Sequence, residues 1–168
     1  MNRLSRLLID PTAAAAVEFA LLSALFFMAL MPVLDFGSYF VSQHKLGTAV
    51  SSAGNSAFKT RDSVDFAGLP DYVRNAAGAG SATVTITCNG SASPACTNTG
   101  RTCACISSSG AYTAATCGAA CPSSGYSANQ KAGYYVTLSA SYPYSTVVLP
   151  NSILKNMAIS RSMTVRLQ

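Results

Sequence analysis

From Ala13 to Leu34 the chain runs for 22 residues with one ionisable side chain, Glu18. No other feature restricts the fold as strongly. As a helix rising 1.5 Å per residue, such a stretch is roughly 33 Å long, about the thickness of a bilayer's hydrocarbon core. The competing reading is a helix buried in a soluble core. The rest of the chain, however, has too few large apolar residues to enclose it on every side. A cleaved secretory signal would have an apolar region of about 7–15 residues and end at a small-x-small site. Here the run is longer and ends in Met31-Pro32-Val33-Leu34-Asp35. The expected division is a basic leader over residues 1–13, a transmembrane helix over 14–34 and a head over 35–168.

The flanks set the direction. Arg3 and Arg6 precede the helix with Asp10 as the only acid, which places the N-terminus in the cytoplasm by the positive-inside rule. All six cysteines, Cys88, Cys96, Cys103, Cys105, Cys117 and Cys121, then fall on the far side, where disulfides form.

Beyond the apolar run the helical spacing continues. Phe36, Tyr39 and Phe40 share a face, and Leu46, Val50, Ala53 and Ala57 recur at steps of four, three and four. The pattern predicts one helix of about 45 residues, from near Ala13 to near Phe58, apolar all round in its first half and amphipathic in its second. Pro32 lies inside it, removes one backbone donor and invites a kink. A shorter helix is expected around Leu69, Tyr72, Val73 and Ala76, with Pro70 in its first turn and Gly78 at its stop.

The period then changes to two. Ala82, Val84, Ile86 and Cys88 alternate with threonines, Tyr134 to Tyr142 alternate likewise, and so do Met157 to Leu167. Arg161 is the one charged residue on the apolar side of that last strand. These segments predict an α+β fold: a long helix, a short helix and a three-stranded antiparallel sheet whose apolar face is covered by the outer half of the first helix. Residues 89–132 read as a long loop of small and polar residues with five of the cysteines, fastened by disulfides. Cys103 and Cys105 are too close to pair with each other, and the remaining connectivities stay open.

Chemistry is sparse. From Ala76 to Gln168 there is no Asp or Glu against five basic residues, so paired carboxylates and a side-chain calcium cage have no donors there. The only histidine, His44, lies on the first helix, where a helix-surface position is its simplest role. The cysteine spacings lack the CxxC…CxxC zinc signature, and the expected compartment oxidises thiols. Basic residues are scattered and form no nucleic-acid reading surface. The expectation is a non-enzymatic protein with no cofactor, no metal and no nucleic-acid partner.

A carboxylate inside a membrane segment costs about 2.5–3.5 kcal/mol at the bilayer centre and less near the interface, so Glu18 either snorkels or has a partner. The stretch AAAAVEFALLSALFFMALMPVLDFGSYF, behind a short basic leader, resembles a prepilin signal and, more specifically, the TadE-like pseudopilins of tight-adherence (Tad/Flp) pilus systems. The resemblance is sharpest from Ala13 to about Phe58; the Cys-rich insert lies outside it. It implies cleavage by a prepilin peptidase between Ala13 and Ala14, leaving Glu18 as the fifth mature residue and Phe19 beside it. Ala13 stands where the family pattern has glycine. It further implies a minor pseudopilin that assembles or initiates a Tad pilus, anchored in the bacterial inner membrane with a periplasmic head and incorporated into an extracellular pilus. Its implied partners are the peptidase, other pilin or pseudopilin subunits, the inner-membrane assembly platform and the lipid bilayer. The alternatives are a pseudopilin of a type II secretion system and an uncleaved, single-pass periplasmic binding or adhesion protein.

Overall fold

Helix α1 spans Pro11–Lys59, 49 residues without interruption. It begins on a proline, whose missing N–H costs nothing in a first turn. Pro32 lies inside it. The computed structural model describes residues 11–92, 96–146 and 157–168, so most of the expected leader lies outside the described residues. The chain divides into two units, residues 1–40 with 145–155 and residues 41–144 with 156–168.

In the first unit, α1 carries its apolar side chains outward: Phe19, Leu25, Phe26 and Met28 are each at least 61% exposed. The exception is Asp35, which is fully buried.

In the second unit the same helix becomes amphipathic, with Leu46, Ala49, Val50, Ala53 and Ala57 buried on one face. Helix α2, Leu69–Ala77, buries Leu69, Val73 and Ala77, carries Pro70 in its first turn and ends at Gly78, whose φ of 63° is the left-handed turn a helix stop requires. Ser52 Oγ and Tyr72 OH, 2.7 Å apart, join the two helices.

The sheet is built from β1 (Thr83–Cys88), β2 (Ser91–Ala92), β5 (Tyr135–Pro143) and β6 (Ala158–Arg166), in the order β2-β1-β5-β6 and antiparallel throughout. The three expected strands are its body, and β2 adds two residues at one edge. Ile86, Leu138, Val136, Ile159 and Val165 are buried on the inner face. That face meets α1: a Cβ placed on Gly54 would lie 2.6 Å from Met163 Sδ and 3.0 Å from Val165 Cγ2, so helix and sheet approach closely here because no side chain intervenes. The outer face carries hydroxyls in register. Thr87, Thr137 and Thr164 form one row across three strands, then Thr85, Ser139 and Ser162, then Thr83, Ser141 and Ser160.

The segment expected to be a long loop contains a second hairpin, β3 (Cys103–Ile106) with β4 (Tyr112–Ala115). Gly110, at φ 82°, turns it. Ala104 and Gly133 exchange backbone hydrogen bonds of 2.9 and 3.0 Å, which fastens β3 to the residues leading into β5.

Gly54→Leu should lower the stability of the second unit by about 1–3 kcal/mol, the cost of overpacking a filled interface. Asn55→Leu, one residue along on the exposed side, should change it by less than about 0.5 kcal/mol. Urea unfolding of the full chain in detergent measures both.

Candidate functional site: an exposed apolar helix and a stapled head

Two features have functional character, one in each unit. The first is the N-terminal half of α1. Ala14 and Glu18 are four residues apart on a continuous helix and therefore lie one turn apart on the same face. Glu18 is exposed, flanked by Val17 at 60% and Phe19 at 73% exposure, and forms no ion pair among the described residues. One carboxylate therefore sits on an apolar surface with no internal cover. From Ala14 onward α1 is long and apolar enough to cross a membrane. Apolar area on this scale does not remain in water; it takes lipid or other apolar helices as its solvent. Ala13 lies in the same helix just ahead of Ala14, and Pro32 lies fourteen residues after Glu18.

The second feature is the cysteine-rich insert. Its bridges are Cys88–Cys96, Cys103–Cys117 and Cys105–Cys121. Cys103 and Cys105 do not pair with each other; two apart on β3, they point to the same side and reach separate partners. No thiolate is left over to bind zinc.

Polar side chains that sequence reasoning passed over complete the fastening. The Asn98 amide accepts from Val64 N–H and donates to Val64 C=O, both at 3.0 Å, as a neighbouring strand would. Tyr134 is buried, its hydroxyl accepts from Thr97 N–H at 2.9 Å, and the Arg101 guanidinium lies 5.0 Å above its ring. Arg101 also donates to Thr97 C=O, to Asn98 Oδ1 and to Arg61 C=O. The one available signal was compositional: Arg101 is the single charged residue between Arg74 and Lys131.

His44 is exposed on α1, and Asp62, Asp65 and Asp71 are exposed on and before α2. Asp71 pairs with Arg74 at 2.7 Å. Among the described residues no three His, Cys, Asp or Glu side chains are grouped to hold a metal ion.

These features define a class: a chain with one N-terminal helix able to span a membrane and an α+β head stapled by three disulfides. Residues 13–54 match the family model described as TadE-like protein. The match covers the four alanines, Glu18 and the helix as far as Gly54, and it stops before α2 and the sheet. Neither the curated proteins nor the solved structures yield a significant match.

Reduction should raise the mass of the intact protein by about 6 Da, two hydrogens for each covalent bridge. Cys105→Ser combined with Cys121→Ser should cost about 2–4 kcal/mol. Denaturant unfolding of that variant under non-reducing conditions checks the figure.

Proposed function

We propose that this protein is a minor pseudopilin of a Tad (Flp) pilus, held as a single-pass inner-membrane protein until assembly. The observation that carries the reading is the TadE-like match over residues 13–54, which takes in Glu18 and the exposed apolar helix together. In this reading a prepilin peptidase cuts between Ala13 and Ala14 on the cytoplasmic side. The new α-amine then lies one helical turn from the Glu18 carboxylate, because Ala14 and Glu18 share a helix face. An ammonium and a carboxylate removed from water each need a counter-charge, so Glu18 neutralises that amine or the amine of a neighbouring subunit. The same apolar helix serves as membrane anchor first and as filament core later, since lipid tails and packed helices are equivalent solvents for it. The head over residues 35–168 is periplasmic, where its cysteines oxidise. Other pilin subunits and the assembly platform are its partners, and its contribution is structural.

Intact mass of the protein taken from its native membrane tests the processing step: the expected value lacks residues 1–13. A retained leader would overturn cleavage and favour an uncleaved, membrane-anchored binding protein, a reading to which Ala13, in place of glycine, lends some weight. Glu18→Gln should leave membrane insertion intact while lowering co-purification with other pilus subunits about tenfold or more, because one partner of a buried charge pair has been removed. Unchanged assembly would make the carboxylate incidental.

A further inference from the structure

We infer that Lys45 of α1 and Arg161 of β6 bind the anionic lipid headgroups of the bilayer that α1 enters, one from each side of the helix. The inference rests on the single-pass membrane reading, and on neither cleavage nor the pilus.

The exposed apolar surface of α1 has a definite end. Val41 is 55% exposed, and among the described residues no large apolar side chain is exposed again before Phe58. Ser42, Gln43, His44 and Lys45 follow Val41, and His44 and Lys45 are exposed. Lys45 therefore stands roughly 6 Å beyond the last lipid-compatible side chain along the helix axis. The polar layer of a bilayer is about 5–7 Å deep on each side of the hydrocarbon, so a lysine at that height reaches phosphate, with a flexible stem to adjust.

The helix supplies one cation at this height, and the fold adds another. β6 comes from the end of the chain, yet the Arg161 side chain lies along α1 at Gly47. Its Nε is 3.7 Å from where a Cβ on that glycine would stand, and its Cγ and Cδ are 3.9 Å away. Gly47 is about 3 Å further along the axis than Lys45 and about 200° round from it. The two cations thus flank the helix from opposite sides at nearly one height. Arg161 is on the apolar side of β6 but is not buried there: it is exposed, whereas Ile159, two residues before it, is fully buried.

Both side chains are available. Neither forms an ion pair or a hydrogen bond among the described residues. No acid lies between Asp35 and Asp62 or from Ala76 onward, and Asp35 is buried.

This arrangement selects its partner. Charges on opposite sides of a helix cannot close on one small anion, whereas a bilayer surrounds the helix and meets both. The arginine fork and the lysine point charge each suit phosphate oxygens. Anionic lipid attracts basic groups within a Debye length of its surface, about 10 Å at 0.1 M salt. A second copy anchored in the same bilayer is a poor occupant, because it brings the same two cations to the same height.

Paramagnetic broadening of amide signals in the full-length protein tests the inference, in phosphatidylcholine nanodiscs carrying a minority of phosphatidylglycerol. A nitroxide on the phosphatidylglycerol headgroup should broaden Lys45 and Arg161 about fivefold more than one on the phosphatidylcholine headgroup, the enrichment expected for one basic residue at an anionic surface. Lys45→Gln with Arg161→Gln should remove that excess, with the other signals unmoved to show an intact fold. Salt at about 1 M should remove it too, since the screening length falls to about 3 Å. Lys59→Gln, exposed and roughly 21 Å further along α1, should leave it unchanged. The inference is overturned if the two headgroup labels broaden equally, if the double variant keeps the excess, or if Lys59→Gln removes it as fully. Broadening that follows the number of copies per disc rather than lipid charge would assign both residues to a second copy and overturn it as well. A nitroxide in the acyl chain reports on the anchor separately through Leu25. If Leu25 broadens and Lys45 and Arg161 do not, this inference alone fails; if Leu25 does not broaden, the membrane reading fails and takes the inference with it.

Discussion

The contact between the second half of α1 and the inner face of the sheet organises the head. Gly54 exposes helix backbone to Met163 and Val165, and Leu46, Val50, Ala53 and Ala57 fill the space on either side of it. The helix residues buried here are mostly small, so the interface gains its stability from close approach rather than from bulk. The strands depend on it in turn. A three-stranded sheet with one apolar face has no independent stability unless that face is covered, and α1 supplies the cover.

The insert between β1 and β5 is solved by different physics. It contains almost no large apolar side chain, so burial cannot hold it. Its stability comes from covalent bridges, from the backbone exchange between Ala104 and Gly133, and from Asn98 and Arg101 satisfying main-chain groups of residues 61–64. Backbone amides and carbonyls that leave water must find partners, and here polar side chains supply them where strands do not. The two parts of the head are thus held by complementary means: apolar packing under the sheet, polar and covalent fastening beyond it.

The legibility of the sequence follows this division. Where one interaction repeats at a fixed period, the element was visible: α1, α2 with Pro70 and Gly78, and the three long strands all stand within one or two residues of their patterns. The β3–β4 hairpin was not visible. CACI and YTAA are too short and too small-residued to show a period, and their register is fixed by cysteine pairing that spacing alone leaves open. The cue present was Gly110 between Ile106 and Tyr112. In the candidate assembly segment, Glu18 stood out because a charge on an apolar run is conspicuous. Asp35 did not, because a carboxylate at the end of such a run looks like the return to water, whereas the structure buries it completely.

The three bridges join cysteines only 8, 14 and 16 residues apart, all of them within the stretch from Cys88 to Cys121. The sheet, by contrast, must pair β1 with a strand about fifty residues later. In a chain delivered N-terminus first, every cysteine and its partner therefore emerge before β5 exists. The three bridges of the insert can therefore close while the sheet beneath it still lacks β5 and β6. Short loops also close at the smallest entropic cost, so the order of synthesis and the order of easiest closure coincide. The head can thus be built from its ornament inward, with the stapled insert waiting for β5 and β6 to complete the support on which it rests.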